Sequence, residues 1–208
     1  MTRALFIIDV QNDFTEGGAL GVNGGAAVAA GITVLLTDHA DSYAAVFASR
    51  DWHDADSDNG GHFARGDDAP DFQATWPVHC VAGTPGAEYH PALDTSAVTI
   101  HVQKGQGTPA YSIFEGSAAG SAAGSATLTA LLTEHGITDV DVVGLATDYC
   151  VRASTLDALA HGQRVRVFTD LCAGVAPDST ESALAEMAHA GAVLATSAVL
   201  HTSPVDTE

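Results

Sequence analysis

Cations are what this 208-residue chain has least of: six arginines and a single lysine, Lys104, stand against 26 aspartates and glutamates, for a formal net charge of −19. Tracking a nucleic-acid backbone needs several lysines or arginines on one face, and an anionic membrane surface asks for the same, so both partners are excluded. Long apolar runs are also missing. The first, Ala4–Ile8, stops at Asp9, far short of the ~20 residues that span a bilayer. With no targeting segment either, a cytoplasmic protein is expected. Cysteine is scarce: Cys80, Cys150 and Cys172 are odd in number, widely spaced and without a C-x-x-C pair. No disulfide framework or cysteine-rich zinc module follows, and free thiols are expected. Hydrophobic residues, at 46%, suffice for a core, and the length fits one domain, 1–208, with a homo-oligomer left open. Most of the surplus carboxylates read as a soluble, self-repelling surface.

Short apolar runs recur at Ala4–Ile8, Ala44–Ala48, Val98–Val102, Val140–Leu145, Val165–Phe168 and Ala192–Leu194. Between them, Ala26–His39, Thr127–His135, Val151–His161 and Ser179–Ala190 carry apolar residues at three- and four-residue spacing. The alternation predicts an α/β fold: a three-layer, mostly parallel six-stranded sheet with helices on both faces. Two segments break the pattern. Asp54–Pro91 is rich in Asp, Gly and Pro, a long excursion of the kind that forms sites. Ser117–Ala126, all serine, alanine and glycine, reads as a flexible surface insertion.

Ligands of an open parallel sheet bind beyond the carboxyl ends of its strands, so the polar residues that end each strand matter most. Asp9 ends the first, Arg50–His53 the second and Lys104 the third, while the fourth leads through Thr147 and Asp148 to Cys150. An acid, an ammonium and a thiol on one sheet edge suit a nucleophile with its base and its cation. Cys150 falls where a helix begins, and the helix dipole there would lower its pKa. A free cysteine is also commonly a small buried hydrophobe. Asp51 and His53, two apart on an extended strand end, point to one face and make half of a metal site. His62 and His79 lie on the excursion that can fold over them. One carboxylate and three imidazoles suit one divalent ion: zinc, iron(II) or manganese.

At these residues the chain resembles the nicotinamidase/pyrazinamidase family within the isochorismatase-like, Rossmann-like cysteine hydrolases. The likeness rests on the blocks ALFIIDVQNDFTEGG (4–18), RDWH (50–53), WPVHCVAGTPG (76–86), HPALD (90–94), YSIFEG (111–116) and VVGLATDYCVR (142–152), together with Lys104–Gly105. It implies hydrolysis of nicotinamide to nicotinate and ammonia, and of pyrazinamide to pyrazinoate, through a cysteine thioester in NAD salvage. It further implies Asp9, Lys104 and Cys150 as the catalytic triad and Asp51, His53, His62 and His79 as metal ligands. Phe14 and Trp76 would hold the pyridine ring, and a cis bond after Leu145 would aim the N–H of Ala146, with that of Cys150, at the oxyanion. Two alternatives keep the fold: a hydrolase of carbamoyl or ureido substrates, and a non-enzymatic metal-binding protein.

Overall fold

The computed structural model describes residues 2–64, 66, 68–119 and 127–201. Its strands are β1 (Arg3–Ile8), β2 (Ala45–Asp51), β3 (Ile100–Lys104), β4 (Ser117–Ala118), β5 (Asp139–Leu145), β6 (Arg164–Ala173) and β7 (Val193–Ala195). Four α-helices lie between them: α1 (Gly25–His39), α2 (Leu128–Glu134), α3 (Arg152–Ala160) and α4 (Pro177–His189). The strands form one sheet in the order β4-β3-β2-β1-β5-β6-β7. All neighbours pair in parallel except β4, which is antiparallel to β3.

The expected six strands are therefore corrected to seven. β4 places only Ser117 and Ala118 opposite Gln103 and Val102, and two residues are too few for a strand period to be visible in sequence. It comes from the segment read as a flexible insertion, whose residues 120–126 lie outside those described.

Alternation along the strands divides the core into two layers. In β1, Leu5 and Ile7 pack with Val28, Ala29, Ile32, Leu35 and Leu36 of α1, while Ala4, Phe6 and Ile8 face the opposite side with Leu128 and Leu132 of α2, Ala158 of α3 and Met187 of α4. Helices therefore cover both faces, and all three β1 neighbours in that second layer are fully buried. Phe6 also meets Phe47 edge to face, ring centroids 5.5 Å apart. Among the described residues no helix is long and apolar enough to cross a membrane.

From β1 the chain moves outward through β2 and β3, then returns to the other side of β1 as β5. The reversal of strand order thus lies between β1 and β5, where a doubly wound sheet opens a crevice at its carboxyl edge. Gly144 permits the close pairing of these two strands. Its φ is 120°, and a Cβ there would stand 2.1 Å from the carbonyl oxygen of Ile8.

Three of the six arginines collect at the opposite edge. Asp139 accepts from Arg3 (3.2 Å), Arg164 (3.0 and 2.7 Å) and the Thr138 hydroxyl (2.7 Å). Asp141 is held by Arg3, by Arg166 (3.0 and 2.6 Å) and by the Tyr43 hydroxyl (3.0 Å). The Arg164 hydrogen bonds chiefly pull the Asp139 carboxyl down from 3.8 to about 2. A depressed folded-state pKa stabilises the protein above the unfolded value, and that contribution is lost as pH falls from about 4 towards 2. Asp139→Asn is expected to lower stability at pH 7 by about 1 kcal/mol, discounted for the exposed Arg164 head, and to flatten the pH dependence between 4 and 2. Urea midpoints measured across that range check it; a variant with the wild-type slope would contradict it.

Candidate active site

The carboxyl ends of four strands deliver the site. β1 runs into Asp9, β2 ends at Asp51, β3 at Lys104, and β5 leads through Ala146 into a π-helical turn, Thr147–Val151, that carries Cys150. Asp9 adopts φ 48°, a left-handed conformation uncommon outside glycine, and its carboxylate accepts from Ser49 Oγ at 2.7 Å. The Leu145–Ala146 peptide is cis. The carbonyl of Ala146 accepts from the N–H groups of Tyr149 and Val151, both at 3.1 Å. Asp148 ties the same turn to α4 by accepting from Val175 N–H (3.0 Å), Ala176 N–H (3.3 Å) and Ser179 Oγ (2.5 Å).

Lys104 sits at the centre, fully buried. Its Nζ hydrogen-bonds Asp51 Oδ1, lies 3.0 Å from Asp9 Oδ2 as an ion pair, and donates to the Ala110 carbonyl (3.2 Å) and Cys150 Sγ (3.7 Å). Desolvation would lower the Lys104 pKa, but Asp51 and Asp9 outweigh it and hold the ammonium charged. Burial would also raise Asp51, yet the Lys104 ammonium outweighs it and pulls the carboxyl well below the usual range. Asp9 ends up raised: burial and the Asp51 charge exceed what Lys104 gives back.

The thiol departs from the sequence expectation. A lowered pKa follows from a helix N-terminus, but burial pushes Cys150 well above its ordinary range, and the nearby Asp9 and Asp51 add to this against Lys104. Desolvation disfavours any new anion here, so the resting sulfur carries its proton. α3 begins only at Arg152, which leaves Cys150 inside the preceding turn.

The long excursion does fold back over Asp51 and His53. His53, His62 and His79 are buried, with ligand atoms all within 4.8 Å of one another. His53 Nδ1 donates to the Gly105 carbonyl and His79 Nδ1 to that of Pro77, each at 2.8 Å. A carbonyl only accepts, so Nδ1 carries a proton in each ring, the tautomer whose lone pair for a metal lies on Nε2. His53 Nε2 and His62 Nδ1 are buried without a hydrogen-bond partner among the described residues. Desolvation and the neighbouring imidazoles hold the His62 pKa down at about 4, leaving it neutral. Asp51 Oδ2 stands 3.6 Å from His53 Nε2 and 3.7 Å from His79 Nε2. Ring nitrogens gathered within 4.8 Å of one another, two of them unpartnered, beside a carboxylate are the donor set of a divalent ion, and the residues present fit one. Gly105 is needed here, since at φ 86° its missing Cβ would fall 2.5 Å from His53 Cε1.

Every residue singled out in the sequence lies at this edge. A cavity of about 380 Å³ connects Cys150 and Ala146 with His62, His79 and Asp51, and Phe14 and Trp76 line its walls. The Phe14 ring lies 5.5 Å from that of His79. Several supporting residues escaped the sequence reading. Trp76 Nε1 donates to the Tyr111 hydroxyl at 3.0 Å, and Tyr149 packs edge to face on Trp76. Gln11 grips the backbone of Asp51 from both sides, Nε2 to its carbonyl (2.9 Å) and Oε1 to its N–H (2.8 Å). Asp13 accepts from Cys80 N–H at 2.7 Å and so anchors the residue after His79. Gln11 and Ser49 had one available signal, a polar side chain two positions from an acid at a strand end.

The Isochorismatase domain family matches residues 3–199. The chain is 49% identical over 185 residues to the nicotinamidase/pyrazinamidase of Mycobacterium tuberculosis, which covers 89% of this chain and 94% of that protein. It is similar to the pyrazinamidase of Pyrococcus horikoshii in complex with zinc, with 33% identity and a TM-score of 0.77 over 94% of this chain and 99% of the other. PnC1 from L. infantum in complex with nicotinate gives 32% identity and a TM-score of 0.78 over 95% and 93%. With this domain, this identity and this fold, the chain belongs to the nicotinamidase/pyrazinamidase family of isochorismatase-domain hydrolases.

Proposed function

We propose that this chain is a cytoplasmic amidohydrolase of NAD salvage that converts nicotinamide and water to nicotinate and ammonia, and pyrazinamide to pyrazinoate. The observation that carries the reading is the single cluster in which Lys104 touches Asp9, Asp51 and Cys150 at the floor of an aromatic cavity. Asp9 takes the thiol proton as Cys150 Sγ attacks the carboxamide carbon, a transfer favoured by the raised Asp9 carboxyl and by the ammonium beside the new thiolate. The oxyanion is met by the N–H groups of Ala146 and Cys150, each such donor worth ~3 kcal/mol. Collapse breaks the C–N bond, and Asp9 returns its proton to the departing ammonia. Water then attacks the thioester, Asp9 accepts its proton, and that proton restores the thiol as nicotinate leaves.

Phe14 and Trp76 hold the ring between them, and Asp51, His53, His62 and His79 would hold the divalent ion: zinc, iron(II) or manganese. When bound, such an ion supplies a Lewis-acidic anchor for a ring nitrogen, a positioning contribution. Ammonia release from nicotinamide and pyrazinamide tests the reaction. Wild-type protein that ignores both yet releases ammonia from a ureido compound would overturn the substrate and leave the fold intact. His53→Ala is expected to lose bound metal by elemental analysis and to raise KM for nicotinamide at least tenfold, since even the loss of a group that only orients a metal ligand costs about 10–100-fold. Unchanged metal content in that variant would refute the ligand set.

A further inference from the structure

The cavity runs from a buried polar floor to an exposed apolar mouth. Cys150, His62 and His79 are nearly inaccessible, whereas Phe72 and Val175 at the rim are each 54% exposed, and Leu20 also lines the cavity. Its volume of about 380 Å³ lies within the ~300–1,000 Å³ that accommodates drug-sized ligands, more than one pyridine ring and a carboxamide occupy. A substrate whose carboxamide reaches Cys150 therefore leaves the outer space unfilled.

Phe72 is placed at that space by an ordered turn. It adopts φ 55°, a conformation that a bulky side chain rarely takes. Asp71 Oδ1 accepts from the N–H groups of Gln73 (2.9 Å), Ala74 (2.8 Å) and Thr75 (2.8 Å), and Phe72 N–H donates to the Thr75 carbonyl at 3.0 Å. The turn sets the Phe72 ring edge to face on Trp76, centroids 6.1 Å apart, while Trp76 is itself fixed by Tyr111 and Tyr149. An apolar ring in a left-handed backbone conformation, half in water, thus lines the cavity mouth.

We propose that the outer half of the cavity is a subsite for apolar substituents on the substrate's aromatic ring, and that Phe72, with Leu20 and Val175, sets their permitted size. This rests on the nicotinamidase reading and specifies its substrate class. The experiment compares kcat/KM for 5-methyl- and 6-methylnicotinamide relative to nicotinamide in wild type, Phe72→Ala and Phe72→Trp. For at least one methylated compound, alanine raises the ratio about tenfold and tryptophan lowers it, the discrimination that a hydrophobic wall gives for one methyl-sized group. Opposite movement separates a wall from a structural role, which would shift both variants alike. Any other pattern, including ratios that stay within about twofold, overturns the subsite. If wild type releases no ammonia from nicotinamide, the nicotinamidase reading fails and the subsite with it. If wild type is active and the ratios do not diverge, the subsite alone fails.

Discussion

Cys150→Ala is expected to lose roughly 10⁴-fold or more of its kcat for ammonia release while keeping the wild-type fold. Sγ is the one atom in the cavity placed to form the acyl intermediate, 3.7 Å from the Lys104 ammonium that would stabilise its anion. Neither remaining cysteine can replace it. Cys80 is wholly buried in the α1 layer, and Cys172 pairs with Gly144 inside the sheet. Burial pushes both thiols up, Cys172 to about 12, so neither ionises readily. Alanine leaves only a small void at a turn held by Asp148 and the Ala146 carbonyl, so circular dichroism and melting temperature should change little. Turnover within tenfold of wild type would remove the nucleophile assignment.

Lys104→Arg is expected to lower kcat/KM about 10²-fold or more although it preserves charge, because a planar fork is not equivalent to a point ammonium. Nζ has four acceptors converging on it: Asp51 Oδ1, Asp9 Oδ2, the Ala110 carbonyl and Cys150 Sγ. A guanidinium needs more space and aims five N–H groups in one plane, with no exposed route along which to extend. Overpacking should also cost about 1–3 kcal/mol of stability. Because Asp51 faces Lys104 through one oxygen and His53 and His79 through the other, metal content should fall as well. Measuring kcat/KM, melting temperature and metal stoichiometry together checks the prediction; near-normal turnover would mean that charge alone suffices at this position.

Much of the architecture was legible because hydrophobic period and strand length are local properties. The six apolar runs each became a strand, and Asp9, Lys104 and Cys150 were found together because a parallel sheet brings its carboxyl ends to one edge. The resemblance supplied their roles. β4 stayed hidden, since its two residues are held only by antiparallel pairing with β3. Gln11 and Tyr111 act through contacts with Asp51 and Trp76, 40 and 35 positions away, which no local pattern records. The acidity of Cys150 was misread for a related reason. A helix-dipole rule considers the local backbone, whereas burial and the neighbouring carboxylates decide the sign.

The poverty in cations was the most informative feature of the chain. Every described lysine and arginine is ion-paired, and the lone lysine lies between two buried carboxylates and the thiol. By itself the amino-acid sequence determined the fold class, the strand ends and the residue types gathered there, because each follows from periodicity, spacing and family likeness. Only the tertiary structure decided that Asp51 joins the histidine cluster to Lys104, that the resting thiol is protonated, and that Phe72 stands at the cavity mouth. Each of those depends on distances and burial between segments far apart in the chain, and desolvation acts on the folded molecule as a whole.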